Sequence, residues 1–127
     1  MIDSHAHLDH SAFDEDRNEV IDNLKRDGVD LVFNVGSSIK SSRNCIALAE
    51  KYENIYAVVG VHPADILGLD DKAISELKEM AMHEKVVAIG EIGLDYYYED
   101  NPPRELQIEA FKRQLDLACE LDMPVAI

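Results

Sequence analysis

The chain has 127 residues, 46% hydrophobic and 30% charged, and its 12 Lys and Arg against 26 Asp and Glu leave a net charge of −14. This is the composition of one globular domain, not of a disordered chain, and no run of about 18 apolar residues exists to cross a membrane. A surface this negative repels nucleic acid at long range, so any phosphate-bearing substrate has to be met by local cations, bound metals foremost.

The opening MIDSHAHLDH has no basic segment and no long apolar segment, so no signal peptide is read there. Cys45 and Cys119 fall in helix-like segments without a C-x-x-C, and both are read as small core residues. A reducing, cytoplasmic setting is the expectation.

Residues 2–7 read as a short strand. Residues 14–28 read as a helix with Val20, Ile21 and Leu24 as its stripe, Asp14 as a possible cap and Gly28 as the stop. The apolar run 29–36 is of strand length, and 37–52 reads as a helix entered through serines. Residues 55–63 form a third strand closed by proline, and 70–84 a third helix capped by Asp70 or Asp71. The run 85–95 is a fourth strand, and 102–122 the longest helix, with prolines at its entrance where missing N–H groups do no harm. Residues 123–127 begin a fifth strand.

Strands that are apolar throughout are expected to be buried on both faces, and regular β-α alternation implies a parallel sheet with right-handed crossovers. A doubly wound open sheet and part of a (β/α)8 barrel both satisfy this pattern. No G-x-G-x-x-G follows the first strand, which weakens a dinucleotide-binding reading. In either architecture the ends of the strands carry the chemistry.

On the first strand His5 and His7 share one face with Asp3, because alternate side chains point the same way. They read either as two ligands of a divalent metal or as polar residues at an exposed strand end. Glu91 follows Val87 and Ile89 on an otherwise apolar strand, where a carboxylate is costly unless paired or metal-bound. It reads as a ligand able to bridge two metals, the alternative being a salt bridge to a buried Arg or Lys. His62, in GVHP, is either a turn residue bonded to the backbone or a group over the same mouth that contacts a phosphate or the attacking water. Asp95, just past the fourth strand, is placed to orient a ligand or a water. His10 and His83 are read as solvated. The loop DYYYEDNPP (95–103) either packs against the rim or stacks on unpaired bases.

In this order and spacing, DSHAHLD, GVHP and GEIGLDYYY strongly resemble the TatD family of metal-dependent hydrolases, and RELQIEAFKRQLDLACELDMPVAI resembles the helix and strand that follow there. The resemblance covers essentially the whole chain. It implies a (β/α)8 barrel of the metallo-dependent hydrolase type with one to three divalent cations (Zn, Mn or Mg) at its mouth. It also implies hydrolysis of phosphodiesters in DNA by a metal-activated water. His5, His7 and Glu91 match metal ligands, and His62 matches a histidine near the substrate phosphate.

A complete barrel of this kind takes about 250 residues, so residues 1–127 are expected to be a single N-terminal portion, four βα units plus strand 5. The family's second half supplies two further histidines and a late aspartate. For this chain alone the expectation is therefore weak metal binding, little or no hydrolysis, and self-association through the open edges of strands 1 and 5. Two other readings stand beside this one. One is a PHP-type or other amidohydrolase-like enzyme acting on a small phosphoester or amide. The other is a non-catalytic half-barrel serving as an assembly module.

Overall fold

The structure is a computed structural model that describes residues 1–127. Strands β1 (Ile2–Ala6), β2 (Leu31–Val35), β3 (Ile55–Val59) and β4 (Val86–Ile89) alternate with helices α1 (Arg17–Asn23), α2 (Ile39–Lys51), α3 (Asp71–Ala81) and α4 (Arg104–Leu121). Short 3-10 helices at Ser11–Phe13 and Pro63–Gly68 follow β1 and β3.

Helices α2 and α3 start where a side chain offers an acceptor for their free N–H groups. Ser38 accepts from the Ser41 N–H at α2, and Asp70 accepts from the Ala73 N–H at α3. The apolar spacing then sets the buried face: Ser42, Cys45 and Ala49 on α2, and Ala73, Leu77 and Ala81 on α3. Helix α4 enters through Pro102 and Pro103 and ends at Asp122, which adopts a left-handed conformation (φ 53°).

All four strands run parallel in the order β1-β2-β3-β4. Right-handed crossovers that step in one direction put every helix on the same side of the sheet. The core follows that rule. Its main cluster joins Val32, Ile55, Val59 and Ile89 of the sheet to Ile21, Cys45, Leu77 and Leu117 of the helices. The opposite face holds a separate small cluster of Val35, Val58 and Ala88, with Phe33, Val87 and Ala126 against it and no helix. A doubly wound sheet would reverse its strand order and carry helices on both faces. The observed winding is that of a (β/α)8 barrel, with the small cluster on the barrel's inside.

Several element boundaries differ from the sequence reading. The first helix shortens to Arg17–Asn23, because Asp14 is not its cap: that carboxylate accepts from the Arg17 guanidinium instead. Strand β1 is exposed along most of its length, since its sequence IDSHA is largely polar and it has only one neighbour. The fifth strand is reduced to a single parallel bridge between Ile89 and Val125. Cys119 is exposed, whereas Cys45 is buried.

Strands β3 and β4 stop at Val59 and Ile89, short of positions 63 and 95. Beyond them the peptide groups find other partners. The Val61 N–H and C=O both bond the side chain of Gln114, and the Glu91 N–H bonds the Gly36 carbonyl. Gly60 and Gly90 meet at this point. A Cβ on Gly60 would fall 2.5 Å from the Gly90 carbonyl carbon, so glycine is required for the approach.

Candidate metal centre

The C-terminal ends of the strands gather His5, His7 and Glu91. One ligand atom from each lies within 4.8 Å of the others. The Nε2 atoms of His5 and His7 are each 3.6 Å from the same Glu91 oxygen, Oε2. The two imidazoles stand nearly edge to face, with centroids 5.0 Å apart. The two rings lie side by side, as the alternation of side chains along an extended segment indicated, although β1 itself ends at Ala6. Glu91 arrives from the loop after β4, not from the strand itself, and no Arg or Lys pairs with it.

The His7 ring is oriented by its other nitrogen. Nδ1 lies 2.8 Å from the Val35 carbonyl oxygen, which can only accept, so the proton is on Nδ1 and Nε2 presents a lone pair to Glu91 and His5. Two imidazoles and a carboxylate converging without a basic partner fit a divalent cation. The backbone bond that fixes the tautomer is the usual outer support of a ligating histidine.

A cleft of about 470 Å³ adjoins this cluster, lined by His7 and Glu91 and also by Asp9, His10, Ser37 and His62. His62 caps the 3-10 helix Pro63–Gly68. Its Nδ1 accepts from the Ala64 N–H at 3.1 Å, as its reading as a turn residue has it, and the residue also lines the cleft. His10 is exposed, as its solvated reading has it, and it also lines this cleft. It caps the 3-10 helix Ser11–Phe13 through an Nδ1 bond from the Ala12 N–H at 3.1 Å. His83 is not free either, since its Nε2 lies 3.1 Å from Glu50.

Asp95 is not brought to the cluster. Its carboxylate accepts from the Tyr97 N–H at 3.0 Å, and its own N–H and C=O are held by the buried side chain of Gln107. It anchors the tyrosine loop. In that loop Tyr97 and Tyr98 are well exposed and touch edge to face, while Tyr96 lies under the Arg104 guanidinium.

Four supporting residues went unread in the sequence. Asn34, fully buried on β2, accepts from the Leu8 N–H and donates to Asp9 and to the Cys45 sulfur. Asp9 also accepts from the Ser41 hydroxyl at 2.6 Å and the Cys45 thiol. Burial, and then the Asp9 charge, push the Cys45 thiol well above the ordinary range, so it stays protonated and donates. Arg17 donates to the carbonyls of Leu8, Asp9 and His10 and pins the loop after β1. Gln114, seven residues after Gln107 on the same face of α4, holds the peptide before His62. A polar Asn in the otherwise apolar run LVFNV is a signal that could have marked Asn34; Asp9, Arg17 and Gln114 stand in polar or charged stretches and carry none.

A singly wound βα sheet with two imidazoles and a carboxylate at its strand ends defines the class: the first half of a barrel-type, metal-dependent hydrolase fold. The chain matches the TatD related DNase family over residues 2–127 and belongs to it. It is 39% identical over its whole length to the metal-dependent hydrolase YabD of Bacillus subtilis, covering 49% of that protein. It is 38% identical over 125 residues to the 3'-5' ssDNA/RNA exonuclease TatD of Cronobacter sakazakii, covering 98% of this chain and 47% of that one. The crystal structure of YJJV, a TatD homolog from Escherichia coli, superposes with a TM-score of 0.89 at 33% identity, over 98% of this chain and 49% of that one. The chain thus spans about half the length of the relatives it matches.

Proposed function

We propose that this chain supplies the first metal-binding half of a hydrolase that cleaves phosphodiester bonds in single-stranded DNA by attack of water. The observation that carries the reading is the convergence of His5, His7 and Glu91, with the His7 tautomer fixed for ligation by the Val35 carbonyl. The naming of one relative as a metal-dependent hydrolase and of another as an exonuclease on ssDNA and RNA supports it.

The Nε2 atoms of His5 and His7 and the Glu91 carboxylate would hold the cation, Zn²⁺, Mn²⁺ or Mg²⁺ by ligand type. When bound there, a divalent cation supplies Lewis acidity toward the phosphoryl oxygens and acidifies a water. The remaining work falls to the protein. His62 accepts at Nδ1, so its neutral ring carries the proton at Nε2 and donates it in a hydrogen bond to a phosphate oxygen in the cleft. Asp95 acts as a positioning residue, holding Tyr97 and Tyr98 out where their faces can stack on unpaired bases.

Fluorescence anisotropy of a labelled, phosphorothioate-linked single-stranded oligonucleotide tests the reading without depending on turnover. Binding is expected to need added metal and to weaken by about tenfold or more in Glu91→Gln, since even changes to outer supports of a metal cost about 10–100-fold. Equal binding in chelator, or in the variant, would overturn it.

A further inference from the structure

We propose that His10 joins His62 as a second neutral N–H donor, so that the two together hold one phosphate group of the substrate beside the metal cluster. The inference rests on the metal-hydrolase reading and adds His10 to the phosphate contact assigned there to His62.

The two residues are built alike. His10 has φ −63° and ψ 144°, and His62 has φ −61° and ψ 146°. Each caps a 3-10 helix, and each accepts at Nδ1 from the N–H two residues on, at 3.1 Å. An Nδ1 that accepts cannot carry the proton, so both neutral rings are Nε2–H tautomers. That is the reverse of His7, whose Nδ1 faces a carbonyl. His7 is therefore set to ligate, and His10 and His62 are set to donate.

His83 shows what happens when the same device has a partner. Its Nδ1 accepts from the Lys85 N–H, and its Nε2 is taken by Glu50. No protein atom takes the Nε2 of His10 or of His62, and both residues line the cleft that His7 and Glu91 also line. The loops that carry them follow β1 and β3, which flank β2 in the sheet. Two strand spacings separate them, about 10 Å. The pair thus brackets the end of β2, after which Ser37 also lines the cleft.

The backbone that carries the His10 ring is pinned. The Arg17 guanidinium bonds its carbonyl and those of Leu8 and Asp9, and the His10 N–H bonds the His7 carbonyl. A neutral donor adds a hydrogen bond without adding charge. It suits a phosphate whose charge is met by the neighbouring cation, and contacts of this kind fix a strand in register without reading its sequence.

The test uses the whole chain with ¹⁵N-labelled histidine and long-range ¹H–¹⁵N spectra, which separate the two tautomers. His10 and His62 are expected to read as Nε2–H and His7 as Nδ1–H. With Zn²⁺ present, thymidine 5′-monophosphate is expected to shift the Nε2 signals of His10 and His62 together, and thymidine is not. Asparagine is a good cap but is too short to reach the cleft, so His10→Asn keeps the 3-10 helix and removes only the donor. It is expected to weaken nucleotide binding by about tenfold, the usual scale for a hydrogen bond to a charged group. An Nδ1–H tautomer at His10, or unchanged binding in His10→Asn, overturns the subsite. Zn²⁺ titration read at His5 and His7 reports the metal reading separately: a response there with none at His10 to the nucleotide sustains the metal centre and overturns the subsite.

Discussion

Four of the five histidines are told apart by what their Nδ1 atoms touch. At His7 it is a carbonyl, and at His10, His62 and His83 it is an N–H. The sequence shows His5 and His7 as a pair because strand periodicity alone aligns them. It does not show that the exposed His10 is oriented toward the cleft, because the bond that orients it comes from a 3-10 helix that no apolar period announces. The two cysteines show the same limit. Both sit at apolar positions of helices, yet Cys45 is buried against Asp9 and Asn34 while Cys119 is exposed. One thiol per native chain is therefore expected to react promptly with a thiol reagent, and Cys119→Ser is expected to abolish that fast phase. A fast phase surviving in Cys119→Ser would contradict the burial and the raised pKa of Cys45. The sign for stability follows. The folded thiol holds its proton more tightly than the unfolded one, so its contribution is complete below the ordinary thiol range, about pH 8.5, and declines as pH rises above it.

Elements deliver the site residues through their ends. The alternation of β and α was legible because helical and strand periods differ so plainly along 37–59 and 70–89, and because Ser38 and Asp70 announce helix starts. The strand ends were not legible. Val61 and Ile92 are as apolar as any strand residue, but a side chain on α4 takes the Val61 peptide groups, and that contact crosses 53 residues. Gln114 is thus a structural clamp on the segment that carries His62. Gln114→Leu leaves a buried N–H and a buried C=O without partners. It is expected to cost about 3 kcal/mol in urea unfolding, from about 1–3 kcal/mol for each orphaned group. An unchanged urea midpoint would mean that water or another group takes over these bonds.

At the scale of the molecule, strand order decided what periodicity left open. Both a doubly wound sheet and a barrel predict alternating β and α. Only the order β1-β2-β3-β4, with an inner face bearing Val35, Val58 and Ala88 and no helix, selects the barrel. The same winding collects the ends of β1 and β4, far apart in sequence, into one mouth where His5, His7 and Glu91 meet. The charge of −14 gives that mouth no general attraction for a phosphate chain, so under the proposed function the attraction falls to a bound cation.

The most direct measurement is a calorimetric titration of the 127-residue chain with Zn²⁺ and Mn²⁺, beside the His5→Ala/His7→Ala double variant. Binding by the wild-type chain that disappears in the variant is expected, and it would show a metal site already organised by the first four βα units. Binding in neither protein, or equal binding in both, would contradict it.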